Sequence, residues 1–497
     1  RGLVKLEYDQ NQNDFLLLEY LGEDKLYVPI DKLNRVQRFV AAEGVRPMLD
    51  KLGGTSWLKT KTKAKKAARK LAGELLELQA KRQALKGYAF NENEELNQEF
   101  AASFEFEETP DQLTTIESIL DDMSKVQPMD RVVCGDVGFG KTEVAMRAAF
   151  KAVTGGKQVA FLAPTTILAE QHFENFTERF EKYPVKIRML SRFVSKADQK
   201  KCLAKLVDGE VDIVIGTHRL LQKDVSFKNL GLLVVDEEQR FGVKDKERLK
   251  AMRANVDCLT LSATPIPRTL HMSLLKLRDM SLLTTPPHNR RPIETYIREF
   301  DEQTVAGAIR REMDRGGQVF YLHNRVETLG HVKRFIENLV PDALVEVAHG
   351  KLHGDELEEI MHRFVRGASQ VLASTTIIEN GIDIPNVNTI IIDRADMYGI
   401  SQLYQLRGRV GRSDRLAYAY LLYPTERALS ELAMKRLQII SDHTELGSGF
   451  KVALKDLAVR GAGNLLGGQQ HGEILSVGFD LYIRLLDQAI NERKDNP

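Results

Sequence analysis

Apolar and polar positions alternate along the first fifty residues in three short runs, LVKLEY, DFLLLEYL and KLYVPI, with NQND and GED between them. Period-two alternation bounded by turn residues predicts a small antiparallel β module, a barrel or half-barrel. After Trp57 the period changes. Leu71, Leu75, Leu78 and Leu85 fall near helical spacing in a Lys-rich run, which predicts one long basic helix. From about residue 110 to 425, continuous β-branched runs such as VAFLAP, VDIVIG, LGLLVVD and CLTLSAT alternate with helical stretches. Strands apolar throughout, closing in small or polar residues, predict a parallel sheet with helices on both faces. The series begins again after the Pro-rich TTPPHNRRP (284–292) with QVFYLHN, QVLAST, NTIIIDRA and AYAYLLYP, so two similar α/β lobes joined by a hinge are expected. Beyond 425 the chain turns helical through GSGF and RGAGNLLGG, ending in an amphipathic helix where Leu481, Leu485, Leu486 and Ala489 make a packing stripe.

At 497 residues the chain suggests about three domains. Its 71 Lys+Arg against 70 Asp+Glu leave a net charge of +1, which at face value speaks against nucleic acid. The charge is segregated, however. Lys59–Lys86 holds ten Lys/Arg and two Glu, whereas Asn91–Asp111 holds eight acids and no base. A solvated helix face followed by an acidic linker explains both runs equally well. No run of eighteen apolar residues occurs, so neither a spanning helix nor a membrane partner is expected. Cys134, Cys202 and Cys258 lie far apart, which fits a reducing cytoplasm and excludes a disulfide scaffold or a cysteine-built zinc site. Neither a transition-metal cluster nor a Ser/His/Asp triad is spaced in the chain, and His218 and His323 are not singled out as catalytic. The start at Arg1, directly in a strand-like run, reads as a piece of a longer protein.

Gly135-Asp136-Val137-Gly138-Phe139-Gly140-Lys141-Thr142 matches G-x-x-x-x-G-K-[ST] between a strand and a helix. Glycines let the backbone curl so that its N–H groups face phosphate oxygens, Lys141 reaches the β/γ-phosphates and Thr142 ligates Mg²⁺. LGLLVVDEE ends an apolar strand in Asp236 and Glu237. Buried carboxylates need a cation or a proton-transfer task to offset desolvation. Asp236 suits the Mg²⁺ shell and Glu237 the attacking water. In the second lobe Arg407, Arg409 and Arg412 of QLRGRVGR are spaced by glycines. Arginines aimed at a γ-phosphate held by the other lobe accelerate hydrolysis by roughly 10³–10⁵ and tie lobe closure to the nucleotide. ATP and Mg²⁺ are the cofactors expected.

These motifs together resemble the two-lobed motor of superfamily 2 helicases and translocases. By that resemblance Thr109-Pro-Asp-Gln112 is the adenine-reading segment. Thr165 and Thr166 of APTTIL, with Thr217 and His218 of GTHR, are first-lobe contacts to the strand. Ser262 and Thr264 of SAT couple hydrolysis to movement, and Asn324 and Arg325 add second-lobe contacts. Thr375 and Thr376 touch nucleic acid, while Gly381 and Asp383 border the nucleotide. CGDVGFGKTEVAMRAAF, VVDEEQRFGV, TTIIENGIDIPN and YQLRGRVGRS resemble, more narrowly, the transcription-repair coupling factor family and its RecG relatives. LGSGF and DLAVRGAGNLL resemble the helical translocation motif of that group, with Arg460 as the coupling residue. Gln239 stands where relatives carry His.

The resemblance implies an α/β fold: two RecA-like lobes of the P-loop NTPase, superfamily 2 type, preceded by a small β-barrel module and followed by a helical hairpin. The expected domains are 1–55, a β module binding RNA polymerase through the strand edge at Leu3–Tyr8; 56–108, basic helix and acidic linker; 109–285, lobe 1; 286–427, lobe 2; and 428–497, the helical translocation motif. The expected function is ATP-driven translocation on double-stranded DNA against a stalled RNA polymerase, in a bacterial cytoplasm. Nucleotide-excision-repair proteins would be reached only through a further N-terminal part. A RecG-like fork-remodelling helicase and a polymerase-binding adaptor with a vestigial nucleotide site remain open. A motor that releases DNA each cycle needs no large uniform positive field, so near-neutrality implies modest, salt-sensitive, nucleotide-gated affinity.

Overall fold

The computed structural model describes residues 2–8, 11–22, 24–36, 51–83, 86–91, 93–192, 194–253, 255–263, 278–287, 290–412, 415–425 and 429–460, with single positions between 481 and 492. Two compact units are separable. One holds the N-terminal β module, the basic helix and the C-terminal segment; the other holds both α/β lobes.

In the first unit β1 (Gly2–Tyr8), β2 (Asn11–Glu19) and β3 (Lys25–Pro29) pair antiparallel in the order β1-β2-β3. Gly2 stands opposite Leu17, and Leu18 opposite Leu26. The expected barrel or half-barrel is, in the described residues, an open three-stranded meander with β1 at one edge. Helix α1 (Ser56–Gln83) follows. Ala64, Ala68 and Ala72 are fully buried at four-residue spacing, whereas Lys59, Lys61 and Lys63 face solvent, as 3.6 residues per turn requires. Leu485 and Ala489 are also buried. Glu492 pairs with Arg69 at 2.7 Å and with Lys65 at 3.7 Å, an exposed pairing that solvent screens. The side chains of Leu71, Leu75, Leu78, Leu85 and Leu486 lie outside the described residues.

The acidic stretch is more than a tether. It forms α2 (Glu94–Ala102), and α3 (Pro110–Met123) starts at a capping box between Thr109 and Gln112. Phe100 is fully buried and stacks on Phe150 with ring centroids 4.1 Å apart. Arg179 lies 4.0 Å over the Phe100 ring and donates to the Phe100 carbonyl at 2.6 Å. Arg147 bridges Glu108 and Glu143 at 2.5 and 2.6 Å. An aromatic anchor and basic partners on the lobe thus seat a segment whose charge pattern alone reads as solvated.

Lobe 1 runs through β4 (Asp130–Gly135), α4 (Lys141–Thr154), β5 (Gln158–Leu162), α5 (Thr166–Arg179), β6 (Ile187–Leu190), α6 (Lys196–Asp208), β7 (Ile213–Gly216), β8 (Leu230–Asp236), α7 (Val243–Met252), β9 (Asp257–Ser262) and β10 (Asp279–Leu283). Its strands form one parallel sheet, ordered β10-β4-β9-β8-β5-β7-β6 among the described residues. Lobe 2 comprises β11 (Ile293–Glu299), α8 (Glu302–Asp314), β12 (Gln318–Leu322), α9 (Leu329–Leu339), β13 (Val345–Ala348), α10 (Gly354–Val365), β14 (Val371–Ser374), β15 (Val387–Ile392), α11 (Ile400–Arg407) and β16 (Ala417–Tyr423). Its parallel sheet is ordered β11-β16-β15-β12-β14-β13. Helices α12 (Glu431–Asp442) and α13 (Gly449–Arg460) follow. The central strands are buried from end to end, so their carboxyl ends carry the loops where open α/β sheets bind ligands.

Phe100→Ala is expected to destabilise lobe 1 by about 3–5 kcal/mol, read as a shift of the guanidinium midpoint. Phe106→Ala, at a ring 66% exposed, should stay within about 0.5 kcal/mol. Equal shifts would show that α2 does not belong to the core.

Candidate nucleotide site

Apolar β4 carries the chain to the carboxyl edge of the lobe 1 sheet, and the turn to α4 is the loop 135–142. Gly138 and Gly140 sit at φ +79° and +75°, a region that L side chains rarely enter. A Cβ on Gly135 would lie 2.7 Å from that of Leu283, so β10 packs directly against the loop. Gln112 holds it from the other side. Its Nε2 donates to the Phe139 carbonyl at 2.9 Å, and its Oε1 accepts from Thr109 N at 2.9 Å. A Cβ on Gly140 would collide with that amide. The glutamine expected to read adenine is here bonded to the loop itself.

Lys141 starts α4 and folds back, its Nζ donating to the carbonyls of Gly135 at 2.6 Å and Asp136 at 2.9 Å. Burial pushes its pKa down, opposed by the carboxylates of Glu237, Asp236 and Asp136. Thr142 follows in the first helical turn. The loop therefore offers what a polyphosphate needs: left-handed glycines, a helix start and a cation that donates to two backbone carbonyls.

Asp236 closes β8, with its Oδ2 3.1 Å from Nε2 of His172 on α5. Glu237 stands at φ +49°, left-handed without being glycine. Its Oε1 accepts from Ala263 N at 2.8 Å and its Oε2 from Gln239 Nε2. Burial raises the Glu237 pKa, and the neighbouring Asp236 raises it further. Gln239 is therefore a direct partner of the carboxylate.

The second lobe brings its arginines to the same cluster. Arg409 is almost wholly buried, and burial followed by the charge of Arg412 pushes its pKa down, while Glu237 opposes the shift. Arg412 is held by Asp383 at 3.0 Å, with a longer 3.5 Å bond to the Gly381 carbonyl. Asp383 exchanges two backbone bonds with Gln171 of lobe 1, at 2.7 and 3.0 Å. Gly381, at φ +89°, approaches so closely that a Cβ would lie 3.2 Å from Leu168. Arg407 turns elsewhere, donating to the carbonyls of Ile440 at 3.2 Å and His443 at 2.7 Å.

Arg290, from the joint between the lobes, is a site residue that no sequence pattern marked. Its Nη1 donates to the Val137 carbonyl, its guanidinium lies 5.4 Å from the Phe139 centroid, and burial lowers its pKa to about 10. His172 was equally unmarked. Arg290 is a single residue in the joint, and His172 sits on the buried face of α5 four residues from Leu168 and from Phe176, where helical spacing alone reads as core.

Most of the described residues expected to contact or couple to DNA lie just beyond strand ends. Thr165 caps α5, its hydroxyl accepting from Leu168 N, and Thr166 opens the helix. Thr217 and His218 follow β7, Ser262 ends β9, Asn324 and Arg325 follow β12, and Thr375 and Thr376 follow β14. Arg460 ends α13. Thr264 lies outside the described residues.

Two parallel sheets, a phosphate-type loop on one and an arginine cluster from the other define a two-lobed P-loop NTPase of the superfamily 2 helicase type. Family models agree: DEAD/DEAH box helicase matches residues 109–273, Helicase conserved C-terminal domain 302–414, and CarD-like/TRCF RID domain 1–40. These domains imply nucleotide use. The transcription-repair-coupling factor of Bacillus subtilis is 56% identical over 99% of this chain, and that of Staphylococcus aureus USA300 is 53% identical over the same share. A RecG structure bound to a three-way DNA junction shares 32% identity with a TM-score of 0.73, covering 87% of this chain and 57% of RecG. A Saccharomyces cerevisiae Dbp5 bound to RNA and ADP-BeF3, at 17% identity and a TM-score of 0.51, shares the fold over 67% of this chain and 91% of its own. The chain belongs to the transcription-repair-coupling factor family. It spans 42% of the length of the curated relatives it matches. No helix among the described residues is long and apolar enough to cross a membrane.

Gly140→Ala is expected to weaken binding of a fluorescent ADP at least about tenfold, because a left-handed alanine costs about 1–2 kcal/mol and its Cβ displaces Gln112. Gly156→Ala, also left-handed but with nothing within 4 Å of its Cβ, should keep the affinity. Equal affinities in the two variants would disprove the Gln112 seat.

Proposed function

We propose that this chain is the ATP-driven motor of a double-stranded DNA translocase that acts on stalled RNA polymerase in transcription-coupled repair. The observation carrying the reading is one electrostatic cluster drawn from both lobes: Lys141, Asp236 and Glu237 of the first, close enough to Arg409 of the second that their charges shift one another. Bound ATP would supply the phosphoanhydride to be cleaved, and Mg²⁺ would offset phosphate charge. The N–H groups of 135–142 and Lys141 bind the phosphates, Thr142 and Asp236 hold the metal, and Gln112, Gly381 and Asp383 border the site. Glu237 takes a proton from water at Oε1 or Oε2. Arg409 and Arg412 stabilise charge developing on phosphate oxygens; Arg412 leaves Asp383 to do so, which makes lobe geometry part of catalysis.

DNA is gripped through its phosphates by Thr165, Thr166, Thr217, His218, Asn324, Arg325, Thr375 and Thr376, while Ser262, Thr264 and Arg460 couple hydrolysis to movement. Residues 1–55 engage RNA polymerase through the free edge of β1. The similarity to RecG supports a second reading, fork remodelling by the same motor.

Purified chain with ATP should displace a triplex-forming strand from duplex DNA, and Lys141→Ala should cut DNA-stimulated ATPase on the order of 100-fold or more. Surviving ATPase in Lys141→Ala would overturn the site, and efficient unwinding of forked DNA without polymerase would favour the second reading. Glu237 acts unprotonated and its pKa is raised, so kcat should fall with acid through a pH above the ordinary carboxylate range, near 4.3. A kcat that falls only at or below the ordinary carboxylate range would remove Glu237 as the base.

A further inference from the structure

The second residue of the phosphate loop makes contacts that nucleotide binding does not require. Asp136 is 92% buried by exposure of 8%. Its Oδ2 accepts two bonds, from the Tyr404 hydroxyl of α11 at 2.5 Å and from Gly447 N at 2.8 Å. Its Oδ1 occupies the space a Cβ on Gly449 would need. Gly447 and Gly449 bracket the turn into α13, the helix that ends at Arg460.

We propose that Asp136 is a positioning residue that transmits the state of the phosphate loop to the turn opening α13. The inference rests on the motor reading above. Three features make the linkage mechanical. Lys141 Nζ donates to the backbone carbonyl of Asp136, so when Lys141 turns to phosphate this peptide loses its partner. A carboxylate beside incoming phosphates is also repelled, and its two donors belong to lobe 2 and the turn. The turn, finally, cannot absorb the displacement locally. Gly447 is left-handed at φ +83°, and a Cβ there would strike the Thr284 carbonyl. Thr284 is itself clamped by Asp111, whose Oδ2 accepts from its N at 2.7 Å and from its hydroxyl at 2.9 Å. Asp111 adjoins Gln112, which holds the loop from the far side. Movement of Asp136 is therefore passed on to Tyr404 and to α13.

Such a link predicts separation of hydrolysis from movement. Tyr404→Phe deletes one donor and keeps the ring; Gly449→Ala fills the seat of Oδ1. Neither residue is itself among those proposed to bind or cleave ATP, and both act on the Asp136 side chain rather than on the loop N–H groups. In both variants of the full 497-residue chain, DNA-stimulated ATPase should stay within about threefold of the parent, while triplex strands displaced per ATP hydrolysed fall about tenfold, a usual size for coupling between sites. An unchanged ratio in both variants, or ATPase and displacement falling in proportion, overturns the proposal. A parent chain that hydrolyses ATP without displacing triplex sinks the motor reading and this inference with it, whereas an active parent with unaffected variants sinks only the inference.

Discussion

An ammonium buried beside three carboxylates governs the architecture of this nucleotide site. Lys141 sits where burial disfavours its charge, and Glu237, Asp236 and Asp136 restore it. The carboxylates need the cation equally, because an ionised acid at the tip of a buried strand is costly alone. Strand β8 can therefore end in Asp236-Glu237 only because β4 delivers Lys141 opposite, and the two strands are separated in the sheet by β9 alone. Lys141 donates to two loop carbonyls. Those bonds are shared with the backbone that carries the loop, so the occupancy of the site and the shape of the loop are one variable.

Contacts between the lobes have a matching logic. Glu358 of α10 is buried and receives Arg192 of lobe 1, with the guanidinium half exposed. His362 faces Glu170 at 3.3 Å with both side chains about one-third exposed, so that pair adds little. Gln171 and Asp383 meet through two neutral bonds that break in solvent at modest cost. Among the described residues these contacts are short and polar, and two of them, Arg192 to Glu358 and Tyr404 to Asp136, have deeply buried members. A broad apolar seam would hold the lobes more firmly.

The central strands were legible in sequence because burial on both faces leaves a run of consecutive apolar residues, as in Val159–Leu162 of β5, Leu232–Val235 of β8 and Ile390–Ile392 of β15. Strands β6, β10 and β11 were not, since each mixes exposed and buried positions over four to seven residues. The loop 135–142 was legible because its glycines answer to backbone geometry, which spacing records. The partners that orient it were not. Gln112 was read for adenine and is bonded to the loop, while His172, Arg290 and Tyr404 reach it by tertiary folding alone. The acidic stretch misled for a related reason: eight acids outweighed one Phe100 in the pattern, but a single aromatic placed in a core decides where a segment lies.

Glu237 shows how local strain and long-range connection coincide. Its left-handed backbone costs on the order of 1–3 kcal/mol, and two bonds from β9 and its exit hold it there: Glu237 N donates to the Leu261 carbonyl at 2.9 Å, and Ala263 N donates to its carboxylate at 2.8 Å. A relaxed backbone would swing the carboxylate away from Ala263 and from Lys141. The strained position thus makes the proposed base sensitive to the 262–263 segment, the stretch whose resemblance implies coupling to DNA. Strain here does not assist proton transfer by itself. It places one carboxylate where a change at the phosphate loop and a change at the 262–263 strand end meet the same two hydrogen bonds.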